Sequence, residues 1–213
     1  MQAIFFNDFK NSYIPDILEE VYVKKVYDPF VLGKKDLIIA DIGSNIGLTA
    51  FYFSDYGKVY ALEPSKQHFE VLTEMIKFNK LDNVFPFKRA ISNVTGQTKF
   101  YHNDNSTMFS MESIVNKKDD FEEVETLTLE DFMKQEKLEK IDILKLDVEG
   151  SESKIIVSDG FKNVASKIKV ILGEYHDWTE MNKNMFQRTF EELGFTFNWN
   201  FNTKASVFTA IRL

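Results

Sequence analysis

Four carboxylates stand where short apolar runs end. Asp41 follows Leu37-Ile38-Ile39-Ala40, Glu63 follows Val59-Tyr60-Ala61-Leu62, Asp147 follows Ile141 to Leu146, and Glu174 follows Ile168 to Gly173. Buried parallel strands present their carboxyl ends along one sheet edge, so acids in these positions can face a ligand together. Asp41 opens the turn Asp41-Ile42-Gly43-Ser44-Asn45-Ile46-Gly47. Gly43 and Gly47 permit positive φ and close approach of a ligand to the backbone. Asn45 stands where a dinucleotide-binding turn has its second glycine, and Asn tolerates the left-handed region better than most residues. Glu63 lies about twenty residues beyond Gly43, the spacing at which an acid hydrogen-bonds both ribose hydroxyls.

A pyrophosphate requires open amides at a helix N-terminus. The Asn45 side chain and the nearby Asp41 make such an anion unwelcome. An adenosine carrying a sulfonium and an ammonium suits the loop better, with Asp41 facing its cationic part.

Asp147 and Glu149 mark a second focus, Leu144-Lys145-Leu146-Asp147-Val148-Glu149-Gly150. Both sit at a strand tip, where alternation aims them toward the cleft. Such a pair can hold a hard cation, take a proton from a substrate hydroxyl, or orient the substrate. His176 follows Glu174 and titrates near neutral pH, so it is a further candidate base. The plainer roles are a helix cap for Asp147, a solvated Glu149 and a structural His176. The acids permit a divalent cation without requiring one, and no metal ligand is assigned. His68 is expected on a helix away from the cleft edge, and neither it nor His102 is assigned a role.

The elements that must position these residues alternate between strand and helix. Strands are expected at Leu37–Ala40, Lys58–Leu62, Asn83–Arg89, Ile141–Leu146 and Ile168–Gly173. Helices are expected at Leu48–Tyr56, from Pro64 through Phe69, Leu72, Met75 and Ile76, and at Leu129–Glu136, Gly150–Ser158 and Glu180–Leu193. Two strand-like pieces, Thr98–His102 and Glu123–Leu127, flank a polar stretch, Asn103 to Asn116, that is either a lid or a surface loop. Phe195–Phe201 and Ser206–Leu213 close the chain as an antiparallel pair. The pattern is that of a doubly wound α/β sheet, parallel except at its end. Residues 1–35 form an N-terminal extension, a helix running into an extended segment packed on the domain of residues 36–213.

Composition narrows the classes. The chain has 213 residues, 44% hydrophobic and 28% charged, and its 21 Phe point to an aromatic-rich core. Without cysteine there is no disulfide framework, thiolate nucleophile or thiolate metal site. A formal charge of −7, with Lys interleaved among acids, disfavours a surface that tracks long nucleic acid. No apolar run suits a membrane span, and a cytoplasmic location is the default expectation.

Taken with Arg89-Ala90-Ile91-Ser92, Gly96-Gln97-Thr98-Lys99-Phe100-Tyr101, Thr126-Leu127-Thr128-Leu129-Glu130-Asp131-Phe132 and Leu144 to Glu152, the loop and Glu63-Pro64 resemble the FkbM family of methyltransferases. The likeness runs from Asp36 to His176; Ser44 and Ser151 stand where small residues, usually Ala, are common. The resemblance implies a Rossmann-like class I methyltransferase fold, with a mostly parallel seven-stranded sheet, an antiparallel C-terminal strand and helices on both faces. It implies S-adenosylmethionine as methyl donor, lined by Asp41, Gly43, Asn45, Gly47 and Asp147. Glu63 would take the ribose, and Arg89 and Ala90 would lie near the adenine. The family is associated with O-methylation, often of sugar hydroxyls on glycans or of small metabolites. Asp147, with Glu149 or His176, is then the expected base. The rival readings are a nicotinamide-dependent oxidoreductase, a non-catalytic nucleoside-binding module and an RNA methyltransferase.

Overall fold

The computed structural model describes residues 14–102, 109–110, 121–176, 181–200 and 206–213. In chain order its elements are α1 (Ile14–Leu18), a π-turn (Glu19–Val23), α2 (Asp28–Val31), β1 (Leu37–Ile42), α3 (Leu48–Phe53), β2 (Gly57–Leu62), α4 (Lys66–Asn79) and β3 (Val84–Phe87). Next come β4 (Ala90–Ile91), β5 (Gly96–His102), β6 (Phe109–Ser110), β7 (Phe121–Leu127), α5 (Leu129–Gln135) and β8 (Ile141–Leu146). The remainder is α6 (Glu152–Val157), α7 (Asp159–Lys162), a 3-10 turn, β9 (Ile168–Tyr175), α8 (Lys183–Glu192), β10 (Thr196–Asn200) and β11 (Ser206–Ile211).

Seven strands form one sheet in the order β10-β11-β9-β8-β1-β2-β3. β11 runs antiparallel to both of its neighbours, and the other pairings are parallel. The chain leaves β1 toward β2 on one side and later returns to β8 on the other, so strand order reverses at the carboxyl end of β1. A crevice opens outside the strands at such a point. The two faces of the sheet carry two cores. Ile39, Phe51, Phe53, Val59, Leu72 and Met75 belong to one. Ala40, Ile42, Phe132, Leu146, Phe161 and Phe190 belong to the other, and the alternation of Ile39 and Ala40 between them follows from the strand's two-residue period.

Three departures from the sequence reading have physical causes. β3 is shorter than the expected Asn83–Arg89 and contains Pro86, which a sheet tolerates because β3 lies at the edge. Thr98–His102 and Glu123–Leu127 are more than flanking pieces. As parts of β5 and β7 they pair antiparallel, and with β4 and β6 they build a second, four-stranded sheet. The extended segment expected before residue 35 is instead the π-turn and α2, with Val21 and Val31 buried against the core of α3. The polar stretch Asn103 to Asn116 lies outside the described residues except for Phe109–Ser110. No described helix is long and apolar enough to cross a membrane.

The aromatic content concentrates under α8. Phe190 is fully buried, with ring centroids 5.3 Å from Phe186, 5.3 Å from Phe208 and 5.5 Å from Phe197. Truncating it to Ala removes these contacts at a site ringed by elements that cannot all collapse inward. Phe190→Ala is expected to cost roughly 3–5 kcal/mol, read by urea unfolding; a cost below 1 kcal/mol would contradict this packing.

Candidate active site

The loop after β1 closes on itself. The amides of Gly43 and Ser44 donate to the Leu62 carbonyl and that of Gly47 to the Ser44 carbonyl. The Asn45 amide donates to Glu63 Oε2 at 2.9 Å, and the Ile46 amide to Asn45 Oδ1 at 2.8 Å. Every amide from Gly43 to Gly47 therefore has an acceptor within the protein, so the loop offers no cradle for a pyrophosphate. Asn45 adopts the left-handed conformation, at φ 51. Gly43, at φ 78, passes so close to the next strand that a Cβ would lie 1.8 Å from the Asp147 carbonyl oxygen. Gly47 plays a different part from the one expected. It stands against the α4 side chains Leu72 and Met75, where a Cβ would lie 2.6 and 2.4 Å from them, and it does not line the cleft.

Asp41 is also placed differently. The β1–β8 register sets Asp41 opposite Lys145, and both side chains are buried. Lys145 Nζ lies 3.0 Å from the Gly43 carbonyl, 3.3 Å from Asp147 Oδ2 and 3.5 Å from Asp41 Oδ1, while Thr49 donates to Asp41 Oδ2 at 2.6 Å. Asp41 is thus held beneath the loop by an ammonium and a hydroxyl and is not among the lining residues of the three cavities around the loop. Burial pulls the Lys145 ammonium down, but Asp147 and Asp41 outweigh it and hold the group above its ordinary value. Lys145 went unassigned in the sequence. Its signal was an ionic residue inside an apolar central strand, which must find partners to be buried.

The turn after β8 is organised by Glu152, a fully buried side chain that accepts from the Val148 and Gly150 amides at 3.0 and 3.1 Å. Glu152 also meets His176 Nδ1 at 2.9 Å, while His176 Nε2 lies 3.4 Å from Glu149 Oε2. Glu149 itself takes the left-handed conformation, at φ 53, an arrangement a non-glycine residue adopts only where its surroundings hold it. Burial and the Asp147 charge push the Glu149 carboxyl up to about 7. Burial pulls the His176 imidazole down, but the Glu152 hydrogen bond and the Glu152, Asp147 and Glu149 charges raise it to about 10. These contacts favour the protonated ring, which weighs against the base role expected of His176. One ligand atom from each of Asp147, Glu149 and His176 lies within 4.8 Å of the others, a spacing compatible with a divalent cation.

These pieces frame an open cleft of about 560 Å³, solvent space included, at the sheet edge. It brings together Gly43, Asn45, Glu63, Arg89, Ala90, Asp147 and Glu149 from the sequence-predicted set, and leaves Asp41, Gly47 and His176 behind its wall. Glu63 is buried, its Oε1 accepting from the Ser65 amide at 2.9 Å, and burial pushes its carboxyl up to about 7. Arg89 reaches outward to Glu125 and Gln135 at 3.0 and 2.9 Å. The cleft also takes in two residues not assigned from sequence, His68 and Phe100. His68 lies in the first turn of α4, 3.8 Å from Glu63 through Nδ1, and Phe100 arrives from the second sheet. Ser65 caps α4 by accepting from the His68 amide, and the first turn of α4 faces the cleft rather than lying away from its edge as expected.

Sheet order, loop and strand-end acids together define a class I methyltransferase fold. The chain belongs to the methyltransferase FkbM domain family, whose pattern matches residues 41–201. It is similar to the 2-O-methyltransferase NoeI of Sinorhizobium fredii, at 31% identity over 69% of this chain and 66% of that protein. It is also similar to the hexuronic acid methyltransferase AglP of Haloferax volcanii, at 24% identity over 68% of this chain and 58% of that protein. The chain thus spans less than two thirds of the length of each. Among solved structures, the magnesium protoporphyrin IX methyltransferase of Synechocystis PCC 6803 shares the fold. Its TM-score is 0.55 at 11% identity, covering 93% of this chain and 79% of that one.

Two outcomes follow from these contacts. Replacing Lys145 by Met leaves Asp41 buried without its counter-charge, and the expected cost is about 3–5 kcal/mol in urea unfolding. A neutral effect would mean that the carboxylates are hydrated in solution. Glu63, Glu149 and His176 each bind their proton more tightly in the folded chain than in an unfolded one. The folded state therefore carries more protons than the unfolded one, and stability falls as pH rises. The glutamates contribute from the ordinary value of 4.5 up to about 7, and His176 from 6.5 up to about 10. Unfolding at pH 5, 7 and 9 without ligand should show a steady loss, and an increase over that range would contradict the arrangement.

Proposed function

We propose that the protein is an S-adenosylmethionine-dependent O-methyltransferase acting on a hydroxyl of a sugar, in a glycan or a small metabolite. The observation that carries this reading is the cleft itself, with Glu63 at one end and the Asp147–Glu149 pair at the other. Its residues fit the donor. Ile42, Leu62, Ile91 and Phe100 give apolar walls for a nucleobase, Arg89 and Ala90 stand at its rim, and the carboxylates suit a cationic ligand. The occupied loop amides disfavour a dinucleotide and hence the oxidoreductase reading. The relatives support the acceptor class, since one is a hexuronic acid methyltransferase and another a 2-O-methyltransferase.

Bound S-adenosylmethionine supplies a methyl group already activated on a sulfonium, so transfer forms an O–C bond as the S–C bond breaks. The chain's residues then bind, align and deprotonate. Glu63 accepts one backbone amide on each oxygen and retains lone pairs for two ribose hydroxyls. Asp147 takes the proton of the attacking hydroxyl, and Lys145 holds its carboxylate in place at 3.3 Å. Glu149, pushed up to about 7, stands beside it as a proton relay, and the His176–Glu152 pair positions Glu149.

Calorimetric titration with S-adenosylhomocysteine tests the cofactor. Wild type should bind, and Glu63→Ala should bind about 10- to 100-fold more weakly, the worth of hydrogen bonds to a charged group. Absence of binding to wild type, with NADH bound instead, would overturn the reading. Asp147→Asn should retain S-adenosylhomocysteine affinity within a few-fold and lose about 10²- to 10⁴-fold in methyl transfer; full turnover in that variant would remove Asp147 as base.

A further inference from the structure

A second, open cavity of about 670 Å³, solvent space included, adjoins Asp147, and the role proposed above does not use it. Its floor is the carboxyl end of β8 and β9, with Lys145, Asp147, Gly173 and Glu174. Its walls are Glu20, Tyr27 and Phe30 from the N-terminal segment and Phe208 and Thr209 from β11. Asp147 lines this cavity, the cleft of Glu63 and the smaller space between the loop and α1, so all three adjoin this residue. An acceptor seated in the second cavity would thus present a hydroxyl to the same group that faces the donor cleft.

The lining has the chemistry of a carbohydrate site. Tyr27, Phe30 and Phe208 offer ring faces and edges to the C–H surface of a sugar, while Glu20, Glu174 and Thr209 offer acceptors for its hydroxyls. The balance of charge is one-sided. Glu20, Asp147 and Glu174 line the cavity and Asp41 lies beneath it, and among the described lining residues Lys145 carries the one ammonium. A carboxylate carried on the substrate would add to the repulsion among these acids on entering the cavity.

We infer that the second cavity is the acceptor site and that it takes a sugar ring without a carboxylate, neutral or amino-substituted, in preference to a uronic acid. Glu20 and Glu174 are then specificity-determining residues. Their exclusion of uronates would set this chain apart from its hexuronic-acid-methylating relative. The inference rests on the sugar O-methyltransferase reading and deepens it.

The test compares methyl transfer to methyl glucoside, methyl glucosaminide and methyl glucuronide, with S-adenosylhomocysteine affinity measured in parallel. Wild type should favour the first two by at least 10-fold in kcat/KM. Glu174→Gln should reduce that preference several-fold while leaving S-adenosylhomocysteine affinity within about two-fold. Thr209→Trp, which fills the cavity from β11, should lose at least 100-fold in kcat/KM and still bind S-adenosylhomocysteine, showing that it is folded. A preference for the glucuronide, or an unchanged ratio in Glu174→Gln, would overturn this assignment alone. Methylation of none of the three, with S-adenosylhomocysteine bound normally, would overturn both this assignment and the sugar reading on which it rests.

Discussion

The Lys145 ammonium is the point through which loop, sheet and cleft are joined. It sits on the central strand β8, in register with Asp41 on β1, and touches the Gly43 carbonyl, Asp41 and Asp147 within 3.5 Å. A buried charge of this kind is tolerated only when fully paired, because the cost of removing it from water exceeds what one imperfect contact returns. The pairing in turn dictates geometry. The loop after β1 must descend toward β8, which requires Gly43 to pass against the Asp147 carbonyl where no side chain fits.

A second carboxylate network governs the other side of the cleft. Glu152 satisfies two amides of the turn after β8 and fixes His176, and His176 fixes Glu149. The left-handed backbone at Glu149 is held by these contacts, and its position in the cleft follows. Loop amides that are already satisfied, together with strand-end acids, make a site that attracts cations and hydroxyls and repels phosphates. The sheet's general architecture serves many ligands, so this local use of hydrogen-bonding capacity separates a methyl-donor cleft from a dinucleotide site.

The N-terminal segment takes part in this arrangement. Val21 and Val31 bury against the core of α3, which brings Glu20, Tyr27 and Phe30 over the carboxyl ends of β8 and β9. The second cavity exists because that segment is docked there. Its charge comes from both the segment and the sheet.

By itself the sequence determined the alternation of strands and helices, the antiparallel ending and the placing of acids at strand tips. Those features are written in local periodicity and in the residues that follow each apolar run. It also allowed the left-handed turn at Asn45, a conformation Asn tolerates better than most residues. What only the tertiary structure decided is which of those acids line the cleft. Asp41 and Glu63 end neighbouring strands in the same way, yet the β1–β8 register turns Asp41 onto Lys145 and leaves Glu63 in the cleft. His176 looked like a base because a lone imidazole titrates near neutrality, but Glu152 and Glu149, which follow β8, surround it and raise it to about 10. The second sheet, and with it Phe100, escaped detection because pairing between β4, β5 and β7 joins residues far apart in the chain. Periodicity reports which face of an element is buried; which partner lies opposite is settled by register and charge once the chain has closed on itself.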